Sequence, residues 1–252
     1  IPYVMVGYPS YELSLELLLG VAAQGADMIE LGMPFSDPTA DGPIIQYAAS
    51  ESLKHGFKIA MLFKIIKAFR QHYPHIPIIV MGYMNPILAY GMKAFIQRAS
   101  IDGVDGLLVV DVPPEEDAEI LAFCQSYHID LIKLITPTTD EKRLQTILSH
   151  ASGFLYYVSV VGVTGTRSAS VDSIQQAMTR FRKQTSLPIM VGFGIKTPKQ
   201  AQQTASYADG VVVASVFIGE MRKYDVNQVA VQKILDMSKE FSVSVHQAVP
   251  HI

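Results

Sequence analysis

Short apolar runs rich in β-branched residues alternate along this chain with longer segments whose apolar positions recur at helical spacing. The short runs predict eight strands: Pro2 to Val6, Met28 to Leu31, Ile78 to Met81, Gly106 to Val110, Leu131 to Ile135, Phe154 to Ser159, Ile189 to Gly192 and Gly210 to Ala214. Most are apolar along their whole length, as strands covered on both faces must be. Between them, Ile174, Ala177, Met178 and Phe181 fall at i, i+3, i+4 and i+7, and Ile120, Cys124 and Tyr127 repeat the stripe elsewhere. Such segments predict helices with one buried face. Gly25-Ala26-Asp27, Gly103-Val104-Asp105 and Tyr207-Ala208-Asp209 each stand just before a predicted strand, a faint repeat whose unit is one strand and one helix.

Strand and helix alternating from end to end predict parallel strands joined by crossover helices. Eight such units in 252 residues, with no Pro/Ser/Gly-rich linker or charge block between them, predict an α/β fold: one closed (β/α)8 TIM barrel over residues 1–252. The open doubly wound sheet is the alternative. It carries a Gly-rich dinucleotide turn after its first strand, whereas this chain has Gly7-Tyr8-Pro9-Ser10 there.

Composition narrows the function classes. With 49% hydrophobic and 17% charged residues the chain supports one large core, and a formal charge of −3 provides no basic field to gather nucleic acid. The lone Cys124 excludes an intrachain disulfide and reads as a small residue on a buried helix face; with no signal-like opening, it leads to the expectation of a cytoplasmic protein. The seven histidines lack the paired spacing of a metal site, so none is expected. No apolar run reaches the roughly 18 to 20 residues that span a bilayer.

In a barrel, chemistry belongs at the carboxyl ends of the strands. There the sequence places Glu30, Asp41 in a Pro- and Gly-containing loop, Asp111, the run Gly162 to Arg167, Gly192-Phe193-Gly194, and Ala214-Ser215. Glu30 stands among apolar residues, where desolvation raises a carboxyl pKa and suits it to pass a proton near neutrality; a barrel-mouth salt bridge is the plainer reading. Asp41 alone is weak, because Asp-Gly is a common turn. The glycines after the sixth and seventh strands, with Ser215 before the last helical stretch, form a candidate phosphate cradle of backbone N–H groups.

The run from Glu30 through Pro38, continued by Ala40-Asp41-Gly42-Pro43, closely resembles the signature of tryptophan synthase α subunits. Gly82-Tyr83-Met84-Asn85-Pro86, Asp111-Val112-Pro113, Gly162-Val163-Thr164-Gly165 and Gly192-Phe193-Gly194-Ile195 follow in that family's order, so the likeness covers the whole chain. The resemblance implies retro-aldol cleavage of indole-3-glycerol phosphate, with Glu30 as acid/base and Asp41 on the indole N–H. It implies substrate contacts from Tyr3, Ile45, Leu108, Leu134, Tyr156, Thr164 and Phe193, and a phosphate clamp of Gly165, Gly194, Ala214 and Ser215. It further implies no cofactor in this chain, and an α2β2 complex with a β subunit that carries pyridoxal phosphate, receives indole, and meets this chain near Pro34 to Pro38. Ala214 departs from the glycine many relatives carry. The chain opens almost directly on its first strand where family members usually carry a preceding N-terminal helix, so either that helix lies outside these 252 residues or the barrel floor is open.

Two rival functions are a Schiff-base aldolase using Lys133, which strand alternation turns toward the helices if Leu134 lines the pocket, and a silent subunit that only activates its partner, against which the presence of both Glu30 and Asp41 argues. Gly162 to Ser170, rich in Gly, Ser and Thr with few apolar anchors, reads as a lid that orders on substrate. On that reading, trypsin cuts at Arg167 in the free protein and cuts markedly more slowly with a substrate analogue bound; equal rates would remove the lid.

Overall fold

Nine strand segments run parallel in a computed structural model that describes residues 1–159, 171–192, 194–224 and 228–249. In one ladder β1 (Tyr3–Met5) pairs with β2 (Ile29–Gly32), then β3 (Ile78–Gly82), β4 (Gly106–Val109) and β5 (Asp130–Leu131). In the other, β6 (Lys133–Ile135) pairs with β7 (Leu155–Val158), then β8 (Ile189–Gly192) and β9 (Gly210–Val211). Only Ile132 separates β5 from β6, and its N–H donates to Leu107 O at 2.9 Å, so the two segments are halves of one fifth strand. The ends meet as well: Pro2 bridges Val213, and Tyr3 N–H donates to Val213 O at 2.9 Å. Among the described residues the eight strands therefore close into a cylinder. The last strand is shorter than its apolar run predicts, because beyond Val211 only the bridge to Pro2 continues it.

Around this cylinder lie α1 (Tyr11–Ala23), α2 (Pro43–Lys54), α3 (Ile59–His72), α4 (Met84–Tyr90), α5 (Met92–Asp102) and α6 (Ala118–Ser126). They are followed by α7 (Glu141–Leu148), α8 (Val171–Arg182), α9 (Pro198–Ala205), α10 (Ser215–Met221) and α11 (Gln228–His246). Local chemistry starts several of them. Ser10, Asp140 and Thr197 cap α1, α7 and α9 by accepting a backbone N–H three residues on, and proline occupies the first turn of α2 and α9. The stripe Ile174, Ala177, Met178 and Phe181 is buried on α8, where each large apolar side chain removed from water contributes about 1.5–3 kcal/mol.

Alternation then sorts every strand residue to one of two cores. Ile79, Leu108, Ile132, Phe154, Tyr156 and Val212 fill the inside of the cylinder. Ile29, Leu31, Ile78, Val80, Leu107 and Leu131 face the helices.

The faint repeat seen in the sequence has a structural use at the amino-terminal pole. Asp105, just before β4, accepts the N–H of Ile78 at 2.7 Å and pairs with Arg70 of α3. Four units later Asp209, just before β9, accepts the N–H of Ile189 at 2.8 Å and pairs with Arg182 of α8 at 3.0 Å. Each aspartate thus ties the first amide of the preceding strand to the helix that led into it. Asp27, the third member, bonds instead to His246 of α11 at 2.9 Å. We expect Asp209→Ala to lower unfolding free energy by about 1–3 kcal/mol, the usual cost of orphaning such a donor, with turnover unchanged because this pole is remote from the chemistry. Denaturant melts and a parallel assay check both.

Candidate active site

Glu30 is the second residue of β2, flanked by Ile29 and Leu31, which turn outward into the helix layer. Alternation therefore points its side chain into the cylinder, in register with Tyr3 on β1 and Ile79 on β3. It sits inside the barrel, 2% exposed, and its Oε2 has no hydrogen-bond partner among the described residues. A buried acceptor left unpaired is costly and is satisfied when a donor enters. Burial pushes the Glu30 pKa up to about 8, and the Asp41 charge adds to the shift.

Asp41 comes from the loop between β2 and α2. Its Oδ2 accepts the Tyr83 hydroxyl at 3.0 Å, while Tyr83 itself accepts the Ala40 N–H at 3.1 Å. Gln46, one turn into α2, donates to Asp41 O at 2.9 Å, so backbone and side chain are both fixed. Burial raises the Asp41 pKa to about 6, and the Tyr83 bond holds it from rising further. Tyr83 is buried against Phe35, with ring centroids 5.2 Å apart. It is the residue that sequence reasoning missed: it stood in a quoted motif without a role, and its place just past β3 was the available signal.

Tyr3 and Tyr156 complete the interior. Tyr3 pairs in register with Glu30, yet its hydroxyl lies against Gly32, where an added Cβ would come within 1.9 Å of it. Tyr156 pairs with Met190 and leans over Gly192 in the same way, within 2.3 Å of an added Cβ. Only glycine leaves room for either ring, and both hydroxyls are carried toward the carboxyl ends of the strands. Burial lifts both phenol pKa values well above their ordinary value, and the charges of Glu30 and Asp41 reach both rings. The two carboxylates and two phenols thus share one space.

Leu108 on β4 and Leu134 on β6 line the same interior, and Ile45 is buried in the first turn of α2, which follows the Asp41 loop. Gly194 has φ +80°, a conformation glycine adopts freely. Ala214 precedes α10 with φ −122°, open to any residue, so the backbone there does not demand glycine. Ser215 begins α10, where first-turn N–H groups lack helical acceptors. Thr164, Gly165, Phe193 and the lid Gly162 to Ser170 lie outside the described residues. Lys133 faces outward, paired with the fully buried Asp117, and so is withheld from any carbonyl substrate in the cylinder. That geometry removes the Schiff-base alternative. Among the described residues no cluster of His, Cys, Asp and Glu is arranged to hold a metal, and no helix is long and apolar enough to cross a membrane.

The comparisons agree with this geometry. A family model described as tryptophan synthase alpha chain matches residues 1–246. The tryptophan synthase alpha subunit of Legionella pneumophila str. Paris is 36% identical, with TM-score 0.88 over 97% of this chain and 91% of that one. A tryptophan synthase structure from Mycobacterium tuberculosis is 30% identical, with TM-score 0.88 over 97% and 91%. An Aquifex aeolicus VF5 structure is similar at 34% identity and TM-score 0.88 over 96% and 91%.

The raised Glu30 pKa carries a stability consequence. Between its ordinary value of 4.5 and about 8, the folded chain holds a proton that the unfolded chain has released, so this group's contribution to stability declines as pH rises through that window. Glu30→Gln is neutral at every pH. Its urea midpoint should therefore fall less than the parent's between pH 5 and pH 8, and equal falls would mean that the carboxyl is not desolvated.

Proposed function

Because the chain belongs to the tryptophan synthase alpha chain family, and is thereby a lyase subunit of that enzyme, we propose that its barrel mouth cleaves indole-3-glycerol phosphate to indole and glyceraldehyde 3-phosphate. One observation carries the reading: Glu30, buried with its Oε2 unpartnered among the described residues, shares one desolvated space with Asp41, which the Tyr83 hydroxyl holds. Burial raises the first to about 8 and the second to about 6, which favours a protonated Glu30 beside an ionised Asp41.

The chemistry follows from those states. Protonated Glu30 gives its proton to the ring carbon that bears the glycerol chain, making an indolenine cation. Ionised Asp41, held by Tyr83, accepts the ring N–H and stabilises that positive charge, an effect strengthened by exclusion of water. The Glu30 carboxylate then takes the proton of the neighbouring glycerol hydroxyl. The carbon–carbon bond breaks, its electron pair restores the aromatic ring, and the hydroxyl carbon becomes the aldehyde. Glu30 ends protonated, as it began, so the cycle needs no cofactor in this chain.

Tyr3, Ile45, Leu108, Leu134 and Tyr156 enclose the ring and glycerol chain, and the family likeness assigns Thr164 and Phe193, which lie outside the described residues, to the same substrate. The amides of Gly165, Gly194, Ala214 and Ser215 receive the phosphate, supported for the last three by the bend at Gly194 and the open first turn of α10. Indole passes to a β subunit, where the pyridoxal phosphate resides, in a cytoplasmic α2β2 assembly that completes tryptophan synthesis. The presence of both Glu30 and Asp41 in one desolvated interior argues against a chain that only activates its partner.

The test is indole release from indole-3-glycerol phosphate by the parent and Glu30→Gln, each with and without β subunit. We expect the variant to lose about a hundredfold or more, the scale of a missing acid/base group. The parent's kcat/KM should rise through about pH 6 as Asp41 ionises and fall above about pH 8 as Glu30 loses its proton. Unchanged release by Glu30→Gln would end the assignment.

A further inference from the structure

Among the described residues the strand ladder thins at two junctions, at the single Pro2–Val213 bridge that closes the cylinder and between the fourth and fifth strands, and the second of these opens a cleft. The ladder between the fourth and fifth strands runs only through Gly106–Asp130 and Leu107–Leu131, with one more bond from Ile132 N–H to Leu107 O. Beyond it β6 pairs with β7 alone, and among the described residues no ladder pair joins β6 to β4. A cleft of about 430 Å³ occupies the gap. Its lining includes Val110, Ile132 and Leu134, which belong to the inner core, together with Val109 and Lys133, whose alternate positions face the helices. The carboxyl-terminal half of the fifth strand is thus a free edge on this side, and it bears Leu134 of the interior.

An ionic clamp stands where the rungs are missing. Asp117, at the start of α6 in the crossover from β4, is fully buried. One of its carboxylate oxygens pairs with Lys133 Nζ, on the outer face of β6, and the other meets His150 Nδ1 at 2.6 Å in the turn before β7. Arg143 of α7 pairs with Glu115 on the rim of the same cleft. None of these groups faces the proposed chemistry, yet the buried carboxylate joins the fourth-strand crossover to the strand that carries Leu134. A buried pair is a poor source of net stability compared with apolar packing, but its fixed bond lengths specify position.

We propose that Asp117 is a positioning residue: through Lys133 it holds the unladdered half of the fifth strand, and with it the Leu134 wall of the ring pocket, at the spacing the indole ring requires. The assignment of Leu134 to that pocket rests on the proposed function. The clamp itself does not.

Two variants separate positioning from stability. Asp117→Asn leaves Lys133 buried without a counter-charge and is expected to destabilise. The double variant Asp117→Asn, Lys133→Met removes both charges at nearly constant size, so it folds while lacking the clamp. For it we expect KM for indole-3-glycerol phosphate about tenfold higher with kcat within about twofold, the signature of a displaced binding wall. A non-cleavable analogue carrying both ring and phosphate should bind correspondingly more weakly, while glycerol 3-phosphate, which lacks the ring, binds as to the parent. Amide hydrogen exchange at Leu134 and Ile135 should quicken by about tenfold, with Ile29 to Leu31 unaffected as the internal control. A folded double variant with the parent's KM and the parent's exchange would overturn the proposal. Should the parent release no indole, the functional reading fails by itself, and the exchange measurement still decides whether the clamp holds the strand.

Discussion

Closing parallel strands into a cylinder gives each side chain one of two destinations, the filled interior or the layer beneath the helices, and the strand register decides between them. That constraint takes Glu30 inside and sends its neighbours Ile29 and Leu31 out. A carboxyl placed there loses its water and is driven toward its neutral form, which is unfavourable for folding and useful for proton transfer. The surrounding packing tolerates the burden because the rest of β2 is apolar and completely covered. Asp41 is held differently, by a loop and by one phenol whose hydrogen bond opposes the upward push of burial on its pKa.

Much of this was legible in the residues. Continuous apolar runs identify strands covered on both sides, and the period of α8 predicts its buried stripe. Glu30 stood out as a charge in an apolar run, and strand alternation sent Lys133 outward once Leu134 was taken as facing in. What escaped is what depends on pairing between distant segments. The division of the fifth strand reflects where β4 stops offering rungs, which its own apolar composition does not register. Tyr83 acquires its role from Asp41, 42 positions earlier. Asp117 and His150 look like ordinary polar surface residues until the fold brings Lys133 between the helices.

The two poles divide the work. At the amino-terminal end Asp105 and Asp209 repeat one device four units apart, tying strand starts to helices without entering the interior. At the other end irregular loops supply Asp41 and the turn residues around Gly194, and local backbone geometry matters more than repetition. The clamp at Asp117 lies between these extremes, a polar fastening in the side of the wall.

The fit of Tyr3 over Gly32 and of Tyr156 over Gly192 ties these positions together as couples in the inheritance of the sequence. A side chain at either glycine would overlap the ring of its aromatic partner, so that ring would have to move or become smaller to admit it. A substitution at one member of either couple is therefore felt at the other, and the shape of this chamber is set by the couples and not by any residue alone.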